Sequence, residues 1–200
     1  MRKIILATNN RGKLREITVL LDGLGFSLVP ASDCKNLPEV AEDGESFFAN
    51  AYKKAKAVCD ATGEAALADD SGLEVDFLGG SPGIYSARYA GEGATDEDNN
   101  RKLLDELKGV SRGKRGCAFR CVLVLCFPNG KHIACEGLWR GEIAEEQAGE
   151  GGFGYDPIVY LPGRGVTVAQ LDPKEKNRLS HRGQALAKLR EELLKISVGA

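Results

Sequence analysis

Asp69 and Asp70 stand side by side after a short apolar run, Ala66-Leu67-Ala68, and Ser71-Gly72 follows them. Carboxylates at the end of a buried strand can hold a divalent cation or take a proton from water. Ser71-Gly72 predicts a turn that ends the strand. Leu73, Val75 and Phe77 then alternate with Glu74 and Asp76, the period of a half-buried strand. Neighbouring strand residues face opposite ways. One aspartate is therefore expected to enter a cleft while the other caps the turn. Taken alone, the pair also fits an Asp-Asp turn with both groups in water.

A complementary set surrounds Thr8-Asn9-Asn10-Arg11-Gly12-Lys13. This polar loop separates a strand at Lys3–Ala7 from Leu14, Ile17, Leu20, Leu21 and Leu24, which recur at helical spacing. A helix N-terminus favours an anion through its backbone N–H groups and its dipole. Gly12 lets the backbone approach a ligand, and Lys13 adds a point charge. The loop is not a Walker motif: Ala7 replaces the first glycine and Leu14 replaces the Ser/Thr that would hold magnesium. Two readings stand at this point, a phosphate cradle or a plain strand–loop–helix connection capped by Thr8 or Asn9.

The elements that must position these groups follow from pattern. Phe26–Val29 predicts a second strand. An acidic loop with Glu42 and Asp43 precedes Ser46, a predicted N-cap for a helix to about Thr62. Phe48, Ala51, Tyr52, Ala55, Val58 and Cys59 are expected to form its buried face. Of Lys53, Lys54 and Lys56 in its middle, at least one is expected to reach a cleft. Gly79–Tyr89 reads as a long ordered loop, and Thr95 with Asp98 as a capping box for a helix to Leu107. Pro128-Asn129-Gly130 joins strands Cys117–Phe127 and Lys131–Ile143 as a hairpin. These long strands suggest a second lobe.

Gly149, Gly151 and Gly154 spell a formal dinucleotide fingerprint, but no strand precedes it and Pro157 closes it before any helix. It reads instead as a tight loop that brings Phe153 and Asp156 to a flat ligand. Ile158–Tyr160 predicts a short strand. Asp172-Pro173 starts a short helix. His181 and Arg182 then fall in the first turn of the last helix, whose Leu186, Leu189 and Leu193 face the core. Cations there oppose the dipole at a cost of about 0.3–1 kcal/mol, which an anionic or carbonyl-bearing ligand would offset.

The 200 residues suggest one domain, 1–200, at 42% apolar and 28% charged residues. A net charge of -2 and a pI near 5.8 argue against nucleic acid as the main partner. No apolar run suits a signal peptide or a membrane span, so a cytoplasmic protein is expected. The six cysteines include no C-x-x-C, and Cys126 differs in strand parity from Cys117, Cys121 and Cys135. Reduced core thiols are expected rather than zinc ligands.

Three features want an anion: the 8–13 loop, Lys54, and the Lys176/His181/Arg182 group. Two features, Glu42-Asp43 and Asp69-Asp70, would repel it. Mg²⁺ reconciles them, since it takes one or two carboxylates plus substrate phosphates. Five motifs, A-T-N-N-R-G-K at 7–13, A-D-D-S-G-L at 68–73, G-G-x-P-G-I-Y-S-A-R-Y at 79–89, G-G-F-G-Y-D-P at 151–157 and E-K-N-R-L-S-H-R at 175–182, span the chain in order. In these the chain resembles the inosine triphosphate pyrophosphatase (dITP/XTP pyrophosphatase) family.

The resemblance implies an α/β, two-lobed fold on a long mixed β-sheet flanked by helices, an active-site cleft between the lobes, and a homodimer. It implies Mg²⁺-dependent hydrolysis of ITP, dITP and XTP to the monophosphate and pyrophosphate, which clears deaminated purines. By residue, it makes Asp70 the catalytic acidic residue and a metal ligand, with Glu42 a second ligand. Thr8, Asn9, Asn10, Arg11, Gly12 and Lys13 match the triphosphate loop. Lys54, Ser71, Phe153, Gly154, Tyr155, Asp156, Lys176, His181 and Arg182 match substrate-binding positions. The alternatives are a broader house-cleaning NTP pyrophosphatase and a nucleotide-binding regulatory module without turnover.

Overall fold

Ile4, Ile5 and Leu6 are at most 2% exposed, and the strand that carries them, β1 (Arg2–Leu6), lies inside the sheet. A strand covered on both faces reads as a continuous apolar run, as Ile4–Leu6 do after the charged Arg2-Lys3. The computed structural model describes residues 2–8 and 10–198, and only the backbone of Arg2, Arg11 and residues 196–198. Asn9 therefore lies outside the described residues.

The elements run β1, α1 (Arg11–Leu21), β2 (Phe26–Pro30), α2 (Phe47–Thr62), β3 (Ala65–Val75), α3 (Asp96–Glu106), β4 (Gly116–Cys126) and β5 (His132–Ile143). The chain continues through β6 (Val159–Leu161), β7 (Val166–Thr167), α4 (Pro173–Leu179) and α5 (His181–Val198). The seven strands form one sheet in the order β2-β1-β3-β4-β5-β6-β7. β1 is parallel to β2 and β3, with Ile4 opposite Leu28 and Ala65. β6 is antiparallel to β5 and β7. The fold is thus α/β on a mixed sheet flanked by helices.

Two compact units divide the chain. The first takes residues up to Asp70, Cys121–Gly137 and Arg182 onward. Its core joins Leu6, Ile17, Leu67, Leu123 and Leu125 to Leu186, Leu189 and Leu193 of α5. The second takes Ser71–Arg120 and Leu138–His181, with Leu73, Val75, Leu103, Leu107, Phe119 and Ile158 in its core. Each fully buried leucine contributes roughly 1.5–3 kcal/mol by leaving water.

Helix ends follow their local chemistry. Ser46 caps α2, accepting from Ala49 N at 3.1 Å, and Thr95 with Asp98 closes a capping box on α3. Asp172 caps α4, with Pro173 at its start. α1 is capped by Asn10, not by Thr8, because Asn10 Oδ1 accepts from Gly12 N at 2.9 Å and Lys13 N at 3.1 Å.

Three expectations fail. β3 does not turn at Ser71-Gly72 but runs on to Val75. Leu73 and Val75 are both fully buried, and burying that run requires the strand to continue. Leu73 N donates to Ser86 Oγ at 2.9 Å. Phe77 falls in a short 3₁₀ turn, Asp76–Leu78, and is exposed. On α2 the buried stripe starts at Phe47, whereas Phe48 is 42% exposed. Phe47, Ala51, Ala55 and Val58 share one helical face; Phe48 lies off it and stacks on Tyr52. The Gly79–Tyr89 loop also contains a 3₁₀ helix, Gly83–Arg88.

Candidate active site

In the first unit, β3 delivers Asp69 and Asp70 to different surroundings. Asp69 Oδ2 lies 2.9 Å from Lys13 Nζ and 3.4 Å from Arg182 Nη2. Lys13 comes from the first turn of α1 and Arg182 from the first turn of α5. Arg182 also pairs with Glu16 of α1. Burial by itself would raise the pKa of Asp69. Lys13, Arg182 and Lys54 outweigh it and hold the carboxyl well below the ordinary carboxylate range. Arg182 is 2% exposed, and burial would lower its pKa; Asp69 and Glu16 reverse that and keep it charged.

Asp70 behaves in the opposite sense. Burial raises its pKa; Lys54 and a hydrogen bond from Asn50 oppose the rise, and Glu42 adds to it by like-charge repulsion. Asn50 Nδ2 donates to Asp70 Oδ2 at 3.0 Å. Lys54, one turn further along α2, lies 3.1 Å from Glu42 Oε1. Of the three lysines, Lys54 is therefore the one turned inward, with its side chain 14% exposed. Lys53 and Lys56 pair with Asp43 and Asp60 at the surface.

The residues present fit a magnesium ion. Two carboxylates, Glu42 and Asp70, interact repulsively, and a cation would relieve that repulsion. Among the described residues no group of three or more His, Cys, Asp or Glu could form a metal cage. Mg²⁺ is the hard cation that manages with one or two carboxylates, phosphate and water.

The second unit holds an aromatic and cationic set. Lys176 Nζ lies 2.7 Å from Asp156 Oδ2 and 4.3 Å from the centroid of the Phe153 ring. The same Asp156 oxygen accepts from Phe153 N at 2.8 Å. Gly152 makes this possible: at φ +76° a Cβ there would stand 2.0 Å from Asp156 Oδ2. Gly154 is tied on both sides, its N donating to Asp96 and its carbonyl accepting from Asn100. Tyr155 is buried, and its hydroxyl donates to Ser86 O at 2.8 Å. The His181 ring stacks on Phe119, centroids 4.9 Å apart and planes 13° from parallel.

The predicted positions therefore gather as two sets. Lys13, Glu42, Lys54, Asp70 and Arg182 belong to the first unit; Phe153, Asp156, Lys176 and His181 belong to the second. Ser71 is half-buried beside Asp70. Thr8 Oγ1 accepts from Asn10 N at 3.2 Å. Sequence reasoning missed Asn50, Glu16 and Phe119. Asn50 had a signal, a polar residue inside the apolar stripe of α2. Glu16 and Phe119 had none, since their partners are distant in sequence.

The described cysteines are all free thiols, and burial pushes those of Cys117 and Cys121 up to about 12. Among the described residues no helix is long and apolar enough to cross a membrane.

The chain is similar to known proteins over nearly its full length. The Ham1 family profile matches residues 4–192. The dITP/XTP pyrophosphatase of Geobacter sulfurreducens is 51% identical over 193 residues, 96% of this chain and 97% of that protein. That of Desulforamulus reducens is 50% identical over 98% of each. Among solved structures, a HAM1 protein from Coxiella burnetii superposes with a TM-score of 0.91 at 43% identity, over 98% of this chain and all of that one. The Staphylococcus aureus Ham1 protein gives 0.89 at 40% identity, over 97% of this chain and 99% of that one. The chain belongs to the Ham1 family.

Proposed function

We propose that this protein hydrolyses non-standard purine nucleoside triphosphates, ITP, dITP and XTP, to the monophosphate and pyrophosphate. Its relatives carry the name dITP/XTP pyrophosphatase at about half identity over nearly their full length. The observation that carries the chemistry is the division of labour between Asp69, locked in ion pairs with Lys13 and Arg182, and Asp70, which accepts a hydrogen bond from Asn50.

Asp70 takes the proton from the attacking water. Asp69 holds the Lys13 ammonium at a fixed point, and Lys13 with the start of α1 stabilises the departing pyrophosphate. Glu42 and Asp70 would hold Mg²⁺, which would supply neutralisation of phosphate charge and Lewis acidity. Thr8, Asn9, Asn10, Arg11 and Gly12 make up the rest of the phosphate loop, and Lys54 and Ser71 flank it.

Phe153 stacks on the base, with Gly154, Tyr155 and Asp156 shaping its loop. Lys176 and His181 supply donors for the purine 6-carbonyl, and Arg182, which shares Asp69 with Lys13, binds substrate from the first unit. Residues 1–200 act as one catalytic domain, a homodimer in the cytoplasm; the family resemblance supports the dimer and the unpaired thiols support the compartment. A nucleotide panel with Mg²⁺ tests the function. ITP or XTP should yield pyrophosphate, and EDTA should stop it. Release of single phosphate, or tight binding without turnover, would overturn the pyrophosphatase reading.

A further inference from the structure

Asn50 is 1% exposed, yet both ends of its amide are engaged with opposite polarity. Its Nδ2 donates to Asp70 Oδ2 at 3.0 Å, and its Oδ1 accepts from Gly44 N at 2.7 Å. Gly44 belongs to the loop that carries Glu42. One side chain thus ties the loop of one carboxylate directly to the other carboxylate. The loop comes so close that a Cβ on Gly44 would lie 2.7 Å from Asn50 Oδ1, 2.9 Å from Ala49 Cβ and 3.1 Å from Asn50 N.

We propose that Asn50 is a positioning residue that clamps the Glu42 loop to Asp70 and so sets the spacing of the two carboxylates for one divalent cation. The proposal rests on the reading of Glu42 and Asp70 as the metal pair. An amide suits the task better than the alternatives. A carboxylate at position 50 would repel Asp70, and an aliphatic side chain would leave Gly44 N–H and Asp70 Oδ2 without this partner. Asparagine offers a donor to one and an acceptor to the other from a short stem. Its place on α2, one turn before Lys54, lets a single rigid helix orient both groups that face the carboxylates. Residues that orient metal ligands are commonly worth about 10–100-fold in metal affinity.

The test uses the full-length protein and three variants: Asn50→Leu, Gly44→Ala and the double variant. Mn²⁺ binding to the free enzyme, followed by the loss of its aqueous spin-resonance signal, reads the pair without turnover. Each single variant should raise the Mn²⁺ dissociation constant by about 10-fold or more. The double variant should be no worse than the weaker-binding single one, because both changes break the same link. The Mg²⁺ concentration for half-maximal activity should rise in parallel, with KM for ITP at saturating Mg²⁺ little changed. An unaltered Mn²⁺ constant in folded Gly44→Ala, or single effects that multiply in the double variant, would overturn the clamp. If Asn50→Leu does not fold, Gly44→Ala decides. Failure to bind Mn²⁺ at millimolar concentration in the unmodified protein would remove the metal pair and the clamp with it. A shifted Mn²⁺ constant without pyrophosphate release would leave the clamp standing and refute the activity.

Discussion

Asp69 and Asp70 are joined by one peptide bond on β3, yet Asp69 answers to Lys13 and Arg182 and Asp70 to Asn50. The strand alternation sends the two side chains apart. The electrostatics then diverge: ion pairs hold the Asp69 carboxyl well below its ordinary value, and burial raises that of Asp70 from its own. We predict that Asp70→Asn loses at least about a hundredfold in kcat, the scale of a positioned acid–base group, with little change in the denaturation midpoint. Asp69→Asn should lose less activity and more stability. Leaving Lys13 and Arg182 without this buried partner costs about 3–5 kcal/mol. Urea titrations beside kcat for both variants check this; the larger kcat loss in Asp69→Asn would reverse the roles.

Thiol chemistry gives a pH window. Burial raises the Cys117 and Cys121 thiols from 9.0 to about 12. In the unfolded chain these thiols ionise first. The folded state therefore keeps its full contribution below pH 9 and loses it progressively as pH rises toward about 12. Stability measured against pH should fall over that range, and Cys121→Ala should make the fall shallower. An identical slope in Cys121→Ala would count against a buried, neutral thiol. With an aromatic disulfide reagent, Cys34, half-buried where the other five are buried, should react first.

Base choice should depend on the second unit's donors. Inosine and xanthosine carry a 6-carbonyl where adenine carries an amino group. A donor left facing another donor costs about 1–3 kcal/mol, roughly tenfold to a hundredfold in discrimination. Arg182 is a poor probe, since its loss also strips Asp69 and Glu16 of a partner. His181→Ala is the better one. It should narrow the ITP-over-ATP ratio in kcat/KM more than Lys13→Ala, which weakens all triphosphates alike. An unchanged ratio in folded His181→Ala would take it out of base recognition.

Gly152 offers a backbone test of the Phe153 loop. In Gly152→Ala the new methyl would collide with Asp156 Oδ2 at 2.0 Å, at a φ that disfavours alanine. Asp156 must then release Phe153 N or Lys176. Misplacing a positioning element by about 1 Å can cost about a hundredfold, and here the loss should fall mainly on KM for ITP. The Mn²⁺ affinity of the free enzyme should not move. Normal KM in the folded variant would show that the Asp156 bridge does not order the base site.

Local chemistry determined much of this protein from sequence. Ser46, Asp172 and the Thr95–Asp98 box mark helix starts because a capping side chain and the N–H groups it serves lie within three residues. Leu186, Leu189 and Leu193 mark the buried face of α5 because helical period is a local property. The motifs at 7–13, 68–73, 79–89, 151–157 and 175–182 carried the family. Tertiary structure decided the rest. Ser71-Gly72 has the composition of a turn, but burial of Leu73 and Val75 keeps it extended. Phe48 has the type of a core residue, but the phase of α2 buries Phe47 instead. Above all, the fates of Asp69 and Asp70 depend on partners far along the chain, Lys13 and Arg182 for one and Asn50 for the other. Neither periodicity nor propensity encodes which distant charge meets which carboxylate; only the packing of α1, α2 and α5 around β3 does.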